Sequence, residues 1–441
     1  MQFPPTITEA AAAIRAGKLT SLALVQQCLA RIDRYDDKIH AWVLVDREGA
    51  LNAAMQADRE LASGRDRGPF HGIPIGVKDI LHVAGMPTRC GSPITSIQPS
   101  IISAAVVAKL GDAGAIILGK TVTCEWAGFD PSPTRNPWKL ERSPGGSSSG
   151  STAAVAAGMC LGAIGTQTGG SIVRPAAFCG VVGFKPSFGF ASTEGVRPLS
   201  RTLDHVGVLA RTAADAHLLL RAISGDAWSP ENDPSPTIGE TASFRLVDSP
   251  TGFVHRTTDP NVALVFQRTV EALREAGAVI HSHPMSISLE DAILDHRTIM
   301  AHDAAAEHHP FFRSYEDQYG PQIRRLLLEG QRVSAADRMR AEAGRFEFTR
   351  LVERLTEDGS VLMMPSVNTT APELTTTGDS RFQALWSLAG LPAITIPCGL
   401  TPDRMPAGMQ LIGRRSGERE LCREATWCEG VIQWNEQPPL E

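Results

Sequence analysis

The chain has 441 residues, with 42 Lys+Arg against 48 Asp+Glu and a formal net charge of −6. That balance leaves no basic footprint for nucleic acid and no polybasic patch for an acidic membrane surface. Length alone allows two or three domains, or one large α/β unit, and 40 glycines with alanine-rich stretches fit close helix–sheet packing.

The first 65 residues read as helical. Thr8 is placed to cap a helix through Ala11, Ala12, Ile14 and Arg15 to Gly17. Ser21 is placed to cap a second, in which Leu22, Val25, Leu29 and Ile32 recur at helical spacing. His40–Val45 is a strand candidate, and 48–63 returns to helix before Gly64. From Pro69 the texture changes: Gly72–Ile80 alternates like a strand and carries Lys78 among apolar residues. A helix from Ser103 feeds the apolar run Ala115–Leu118, the rhythm of an α/β protein. Thr152–Met159 is small and helical, 184–211 is mixed strand and loop, and Thr212–Ser224 is helical. Residues 225–240, with Pro230, Pro234 and Pro236, read as a surface loop. The stretch 290–356 is helical and charged, and is the expected cover over a substrate. Val361–Met364 is a strand ending at Pro365, Ala393–Pro397 and Met409–Gly413 form a strand pair, and a last helix spans 419–431.

The eight cysteines are scattered and form no C-x-x-C pair, so buried free thiols in a reducing, cytoplasmic setting are expected. The opening MQFPPTITEAAAAIRAG has no basic region followed by an apolar core, and no long apolar run follows elsewhere. Neither a signal peptide nor a transmembrane helix is expected.

Chemistry concentrates between Ser143 and Gly183. Two glycine–serine clusters lie there, Gly145–Ser151 and Gly169-Gly170-Ser171, with Ser147 and Ser171 24 positions apart. Glycines let backbone approach a ligand closely, and serines supply hydroxyls that attack or relay protons. The pattern reads as a site lined by backbone N–H groups around a nucleophile. A serine hydroxyl needs a base. Histidines are available at His71, His205, His281, His283, His308 and His309, but no G-x-S-x-G elbow surrounds either cluster. A Ser-His-Asp arrangement stays open as an alternative. Lys78 offers another route, because a desolvated lysine loses its charge and becomes a base. Its ordinary alternative is a strand-end lysine snorkelling to solvent.

Five segments carry a resemblance: GIPIGVKDI (72–80), SPGGSSSGS (143–151), GTQTGGSIVRPAAFCGVVGFKP (165–186), TLDHVGVLART (202–212) and LAGLPAITIPCG (388–399). In this order they resemble the amidase signature family of serine amidohydrolases. The resemblance implies an α/β fold with a large, mixed, mostly parallel twisted sheet flanked by helices on both faces. It implies one domain over 1–441: N-terminal helices in 1–65, a signature core in 66–225, a variable substrate-covering region in 226–360, and C-terminal strands and helix in 361–441. It also implies a Ser-Ser-Lys triad, with Ser171 as nucleophile, Ser147 as bridging serine after a cis peptide, and Lys78 as base. The oxyanion hole would be the backbone N–H groups of Thr168, Gly169, Gly170 and Ser171.

Two departures stand out. Gln167 replaces the aspartate common before this turn, and Arg174 stands one position later than the usual arginine. The second is similar to malonamidase-type members, in which that arginine anchors a substrate carboxylate. Arg174 is therefore a candidate clamp, with a structural arginine bonded to carbonyls as the alternative. Gly146 and Ser148 are read with it as substrate-facing, and Asp204 and Gln167 as supporting residues behind the site. Trp126, Phe129 and Trp138 are candidates for pocket walls or core.

The expected activity is hydrolysis of the C–N bond of small linear amides through an acyl-enzyme, with no metal and no cofactor. Alternatives are a carbamate (urethane) or aryl-amide hydrolase with the same triad, the amidase component of a tRNA-dependent amidotransferase, and a non-catalytic binding scaffold. The expected partners are a small amide or carbamate and water, with no nucleic acid and no membrane. Oligomeric state is left open, a homodimer included.

Overall fold

The computed structural model describes residues 3–224, 243–247, 252–283 and 285–440, so the loop expected at 225–240 lies outside the described residues. An 11-stranded sheet runs through them. In chain order its strands are β1 (Trp42–Val45), β2 (Pro74–Lys78), β3 (Ile116–Thr121), β4 (Gly162–Gln167), β5 (Val182–Lys185), β6 (His205–Ala210), β7 (Ser243–Leu246), β8 (Val279–Ser282), β9 (Val361–Pro365), β10 (Ala393–Leu400) and β11 (Pro406–Ile412). Their spatial order is β1-β3-β2-β4-β6-β5-β10-β11-β9-β7-β8.

The α/β class and the mixed sheet agree with expectation, but the balance of strand directions does not. β3–β2, β2–β4, β9–β7 and β7–β8 are parallel, and the other six neighbour pairs are antiparallel. A parallel neighbour needs a crossover of a dozen or more residues. The few residues between Leu400 and Pro406 allow only a hairpin, which fixes β10 against β11. Both faces are covered. Along β9, Val361 and Met363 belong to one hydrophobic cluster and Leu362 and Met364 to another, the period-two alternation of a strand packed on two sides.

Helix caps differ from expectation by one or two residues. Thr6, not Thr8, caps Ile7–Arg15: its hydroxyl accepts from Glu9 N while Glu9 accepts from Thr6 N, a reciprocal pair worth about 1 kcal/mol. Thr8 instead donates to buried Asp215. Thr20, not Ser21, caps Ser21–Ile39. The helices Leu289–Tyr315, Pro321–Gly330 and Ala335–Arg354 form the expected helical region and pack with Arg381–Ala389 around Ile299, Leu326, Phe348 and Trp386. The short strand β7 and the edge strand β8 beside it were not expected within 226–360. Neither carries a long alternating pattern, and β8 is largely exposed.

β2 and β4 are adjacent and parallel, so their C-terminal ends open on the same side. In open α/β sheets, ligands bind outside such ends. β2 ends in Lys78, and β4 runs straight into the turn 168–171.

Candidate active site

Lys78 is fully buried, and among the described residues no carboxylate bonds it. Its Nζ lies 2.8 Å from Ser147 Oγ, 2.9 Å from Thr166 Oγ1 and 3.4 Å from Thr166 O. Burial pushes its pKa down to about 7. Near neutral pH a large fraction of the amine is therefore uncharged and able to take a proton. Ser147 is fully buried as well, and Ser171 is buried but for 6% of its surface. Among the described residues no hydrogen bond joins Ser147 Oγ to Ser171 Oγ; such links often tighten only when substrate binds.

The Gly145–Ser147 segment is held by close contact. Gly145 has φ 80, and a Cβ on Gly146 would lie 2.5 Å from Cys124 Sγ. The Gly146–Ser147 peptide is cis.

The turn after β4 has a distinctive division of labour. All four of its carbonyls are engaged: Thr168 O accepts from His296 Nε2 at 3.0 Å, Gly169 O from Ser387 Oγ at 2.9 Å, Gly170 O from Arg174 N at 2.9 Å and Ser171 O from Ser148 N at 3.3 Å. Among the described residues, none of the N–H groups of Thr168, Gly169, Gly170 and Ser171 has an acceptor. The next two do: Ile172 N and Val173 N donate to Gln167 Oε1 at 2.9 and 3.0 Å. Gln167 thereby closes the start of the helix Val173–Cys179, and its Nε2 donates to Ser387 Oγ at 3.1 Å. Backbone N–H groups left without a partner are the kind of donor that can hold an oxygen carrying negative charge.

Asp204 stands behind the turn. Its Oδ1 accepts from Thr168 Oγ1 at 2.5 Å and its Oδ2 from Leu199 N and Ser200 N at 2.9 and 3.0 Å. Burial pushes its pKa up to about 6 against these bonds.

Two residues read as substrate-facing have a different environment. Ser148 is fully buried, and its Oγ donates to Thr166 O and accepts from Thr166 N. Arg174 is 1% exposed; its Nη2 and Nε donate to Gly146 O at 2.7 and 3.3 Å and its Nη1 to Gly378 O at 2.7 Å. Each guanidinium nitrogen is already bonded to a carbonyl, which is the structural alternative for Arg174. Trp138 is core: it packs on Trp434 and donates Nε1–H to Cys179 O at 2.8 Å. Trp126 stands edge-on to His308, and Phe129 lies under Arg297.

Among the described residues no histidine is hydrogen-bonded to either serine. His71 bonds Ala57 O, His205 bonds Leu203 O and His308 bonds Tyr319. Among those residues no group of three His, Cys, Asp or Glu side chains could hold a metal ion, and no helix is long and apolar enough to cross a membrane. Three residues bonded to this site escaped the sequence reading: Thr166, His296 and Ser387.

The Amidase family model matches residues 23–422. AmiD of Mycobacterium tuberculosis, a putative amidase by name, is 35% identical over 453 residues, covering 98% of this chain and 95% of AmiD. A glutamyl-tRNA(Gln) amidotransferase component from Roseiflexus castenholzii is 33% identical, covering 98% of this chain and 97% of its own length. The crystal structure of peptide amidase from Stenotrophomonas maltophilia superposes with a TM-score of 0.82 at 29% identity, covering 99% and 98%. With a family match over most of its length and relatives similar from end to end, this chain belongs to the Amidase family of hydrolases.

Proposed function

We propose that the chain hydrolyses the C–N bond of small linear amides through an acyl-enzyme on Ser171. The carrying observation is the uncharged-leaning Lys78 amine, 2.8 Å from Ser147 Oγ, beside a turn whose four N–H groups have no acceptor among the described residues. Ser171 Oγ attacks the amide carbonyl and passes its proton to Ser147 as Ser147 passes its own to Lys78 Nζ. The carbonyl oxygen becomes an oxyanion held by the turn's N–H groups. The ammonium then returns a proton through Ser147 to the leaving nitrogen, the C–N bond breaks, and the amine departs. Water repeats the cycle on the ester and releases the acid.

Arg174 is assigned to holding Gly146 and Gly378, which argues against a malonamidase-like carboxylate clamp. Substrate choice then falls to the walls supplied by the helical cover. The test is a panel of a dicarboxylic monoamide, a neutral aliphatic amide, an anilide and a carbamate. Wild type should turn over at least one, and Ser171→Ala none. Residual turnover by Ser171→Ala would overturn the nucleophile assignment. Fastest turnover of the carbamate would favour the urethane-hydrolase reading. A second reading draws on the relatives named as components of glutamyl-tRNA(Gln) amidotransferase: it requires partner chains that co-purify and a glutaminase activity that depends on them.

A further inference from the structure

The turn 168–171 is made of trans peptides, since Gly146–Ser147 is the cis bond found among the described residues. A trans peptide is planar, and its C=O and N–H point in opposite directions. Whatever holds a carbonyl therefore aims the next residue's N–H the other way. Thr168 O fixes Gly169 N–H, Gly169 O fixes Gly170 N–H, and Gly170 O fixes Ser171 N–H. The anchor of the last is local, Arg174 N one turn ahead. The anchors of the first two come from far along the chain: His296 on the helix Leu289–Tyr315 and Ser387 on the helix Arg381–Ala389.

We infer that His296 is a positioning residue for the oxyanion donors, holding the Thr168 carbonyl from behind so that Gly169 N–H points into the site. A carbonyl can only accept, so the imidazole carries its proton on Nε2. The ring is buried, 3% exposed, and its Cε1 stands 3.4 Å from where a Cβ on Gly169 would be. Burial also pushes its pKa down to about 4, which keeps it neutral with a single N–H to give. Glycines at 169 and 170 have the widest backbone freedom in the chain, so a turn built from them needs outside anchors to keep its donors aligned. The helical cover is by this account part of the oxyanion machinery. Ser387 plays the matching role for Gly170 N–H and is itself steadied by Gln167.

This inference rests on the acyl-enzyme reading, and the experiment separates the two. His296→Phe keeps a ring but removes the donor, His296→Gln carries an amide N–H where Nε2 stood, and His296→Asn carries one that falls short. Kinetics use whichever panel substrate wild type turns over fastest. His296→Phe should lower kcat about tenfold or more with KM within about twofold, because an oxyanion contact acts in the transition state. His296→Gln should recover most of that loss. Wild-type kcat in His296→Phe, or equal losses in Phe and Gln, would overturn the proposal and assign His296 to packing. If His296→Phe does not fold, the amide pair decides: Asn must fall well below Gln, and equality overturns the proposal. An active Ser171→Ala sinks the acyl-enzyme reading itself, whereas a dead Ser171→Ala beside a wild-type-like His296→Phe sinks only this one.

Discussion

Among the described residues, two strand ends carry a wholly buried lysine with no carboxylate bonded to it: Lys78 on β2 and Lys185 on β5. Burial pushes each down to about 7. Their surroundings differ. Lys78 meets two hydroxyls, whereas Lys185 donates to Pro186 O at 2.8 Å and Leu391 O at 2.5 Å. A carbonyl has no proton to pass on. A lowered pKa is thus common to both and distinguishes neither; what sets Lys78 apart is Ser147, a group that can hand it a proton and take one back.

The sharpest way to break the comparison is to exchange the losses. Lys78→Ala should lower kcat by on the order of 10³-fold or more, as removing a member of a nucleophile–base unit does. Near-full activity of that variant at pH 7, read by steady-state kinetics, would refute the lysine base. Next comes pH. The ammonium form cannot accept a proton, so kcat/KM should fall about tenfold per unit as pH drops below the Lys78 value of about 7. A profile flat down to pH 5 would contradict this. Stability gives a control, because both lysines push it the same way. Unfolded lysine keeps its proton to about 10.4. Between the folded value of about 7 and that point the unfolded chain binds more protons, so these two groups make stability rise with pH. Arg174→Ala should act more moderately. It strips the bonds from buried Gly146 O, costing about 1–3 kcal/mol, and from part-buried Gly378 O, which water can partly re-satisfy, and should slow acidic and neutral substrates alike. Selective loss on the acidic substrate would restore the clamp. The smallest effect belongs to Lys185→Met, whose kcat should stay within about twofold of wild type because no proton path passes through it.

Lys78, Ser147 and Ser171 stood out in the sequence because each sits in a short segment of unusual composition. A lysine stands in an apolar strand, and serines stand among glycines. The α/β rhythm was readable for the same reason, since β2, β4 and β9 are buried on both faces and keep apolar runs. What stayed hidden depends on distance along the chain. His296 and Ser387 lie over a hundred residues from the turn they hold, inside helices that give no sign of it. Arg174 illustrates a different limit. Its position in the chain was informative, yet only the two carbonyls around its guanidinium reveal where its hydrogen bonds go. Strand directions were misjudged because hairpin and crossover look alike until loop lengths are set against pairing.

All eight cysteines are free and buried, and burial pushes the thiols of Cys28 and Cys124 up to about 12 and about 11. The folded chain consequently offers a thiol dye almost nothing, while the unfolded chain offers eight targets. That contrast is a built-in chronometer of opening. Since Cys124 sits against Gly146, its labelling ahead of the other seven would time the loosening of one loop apart from the melting of the whole.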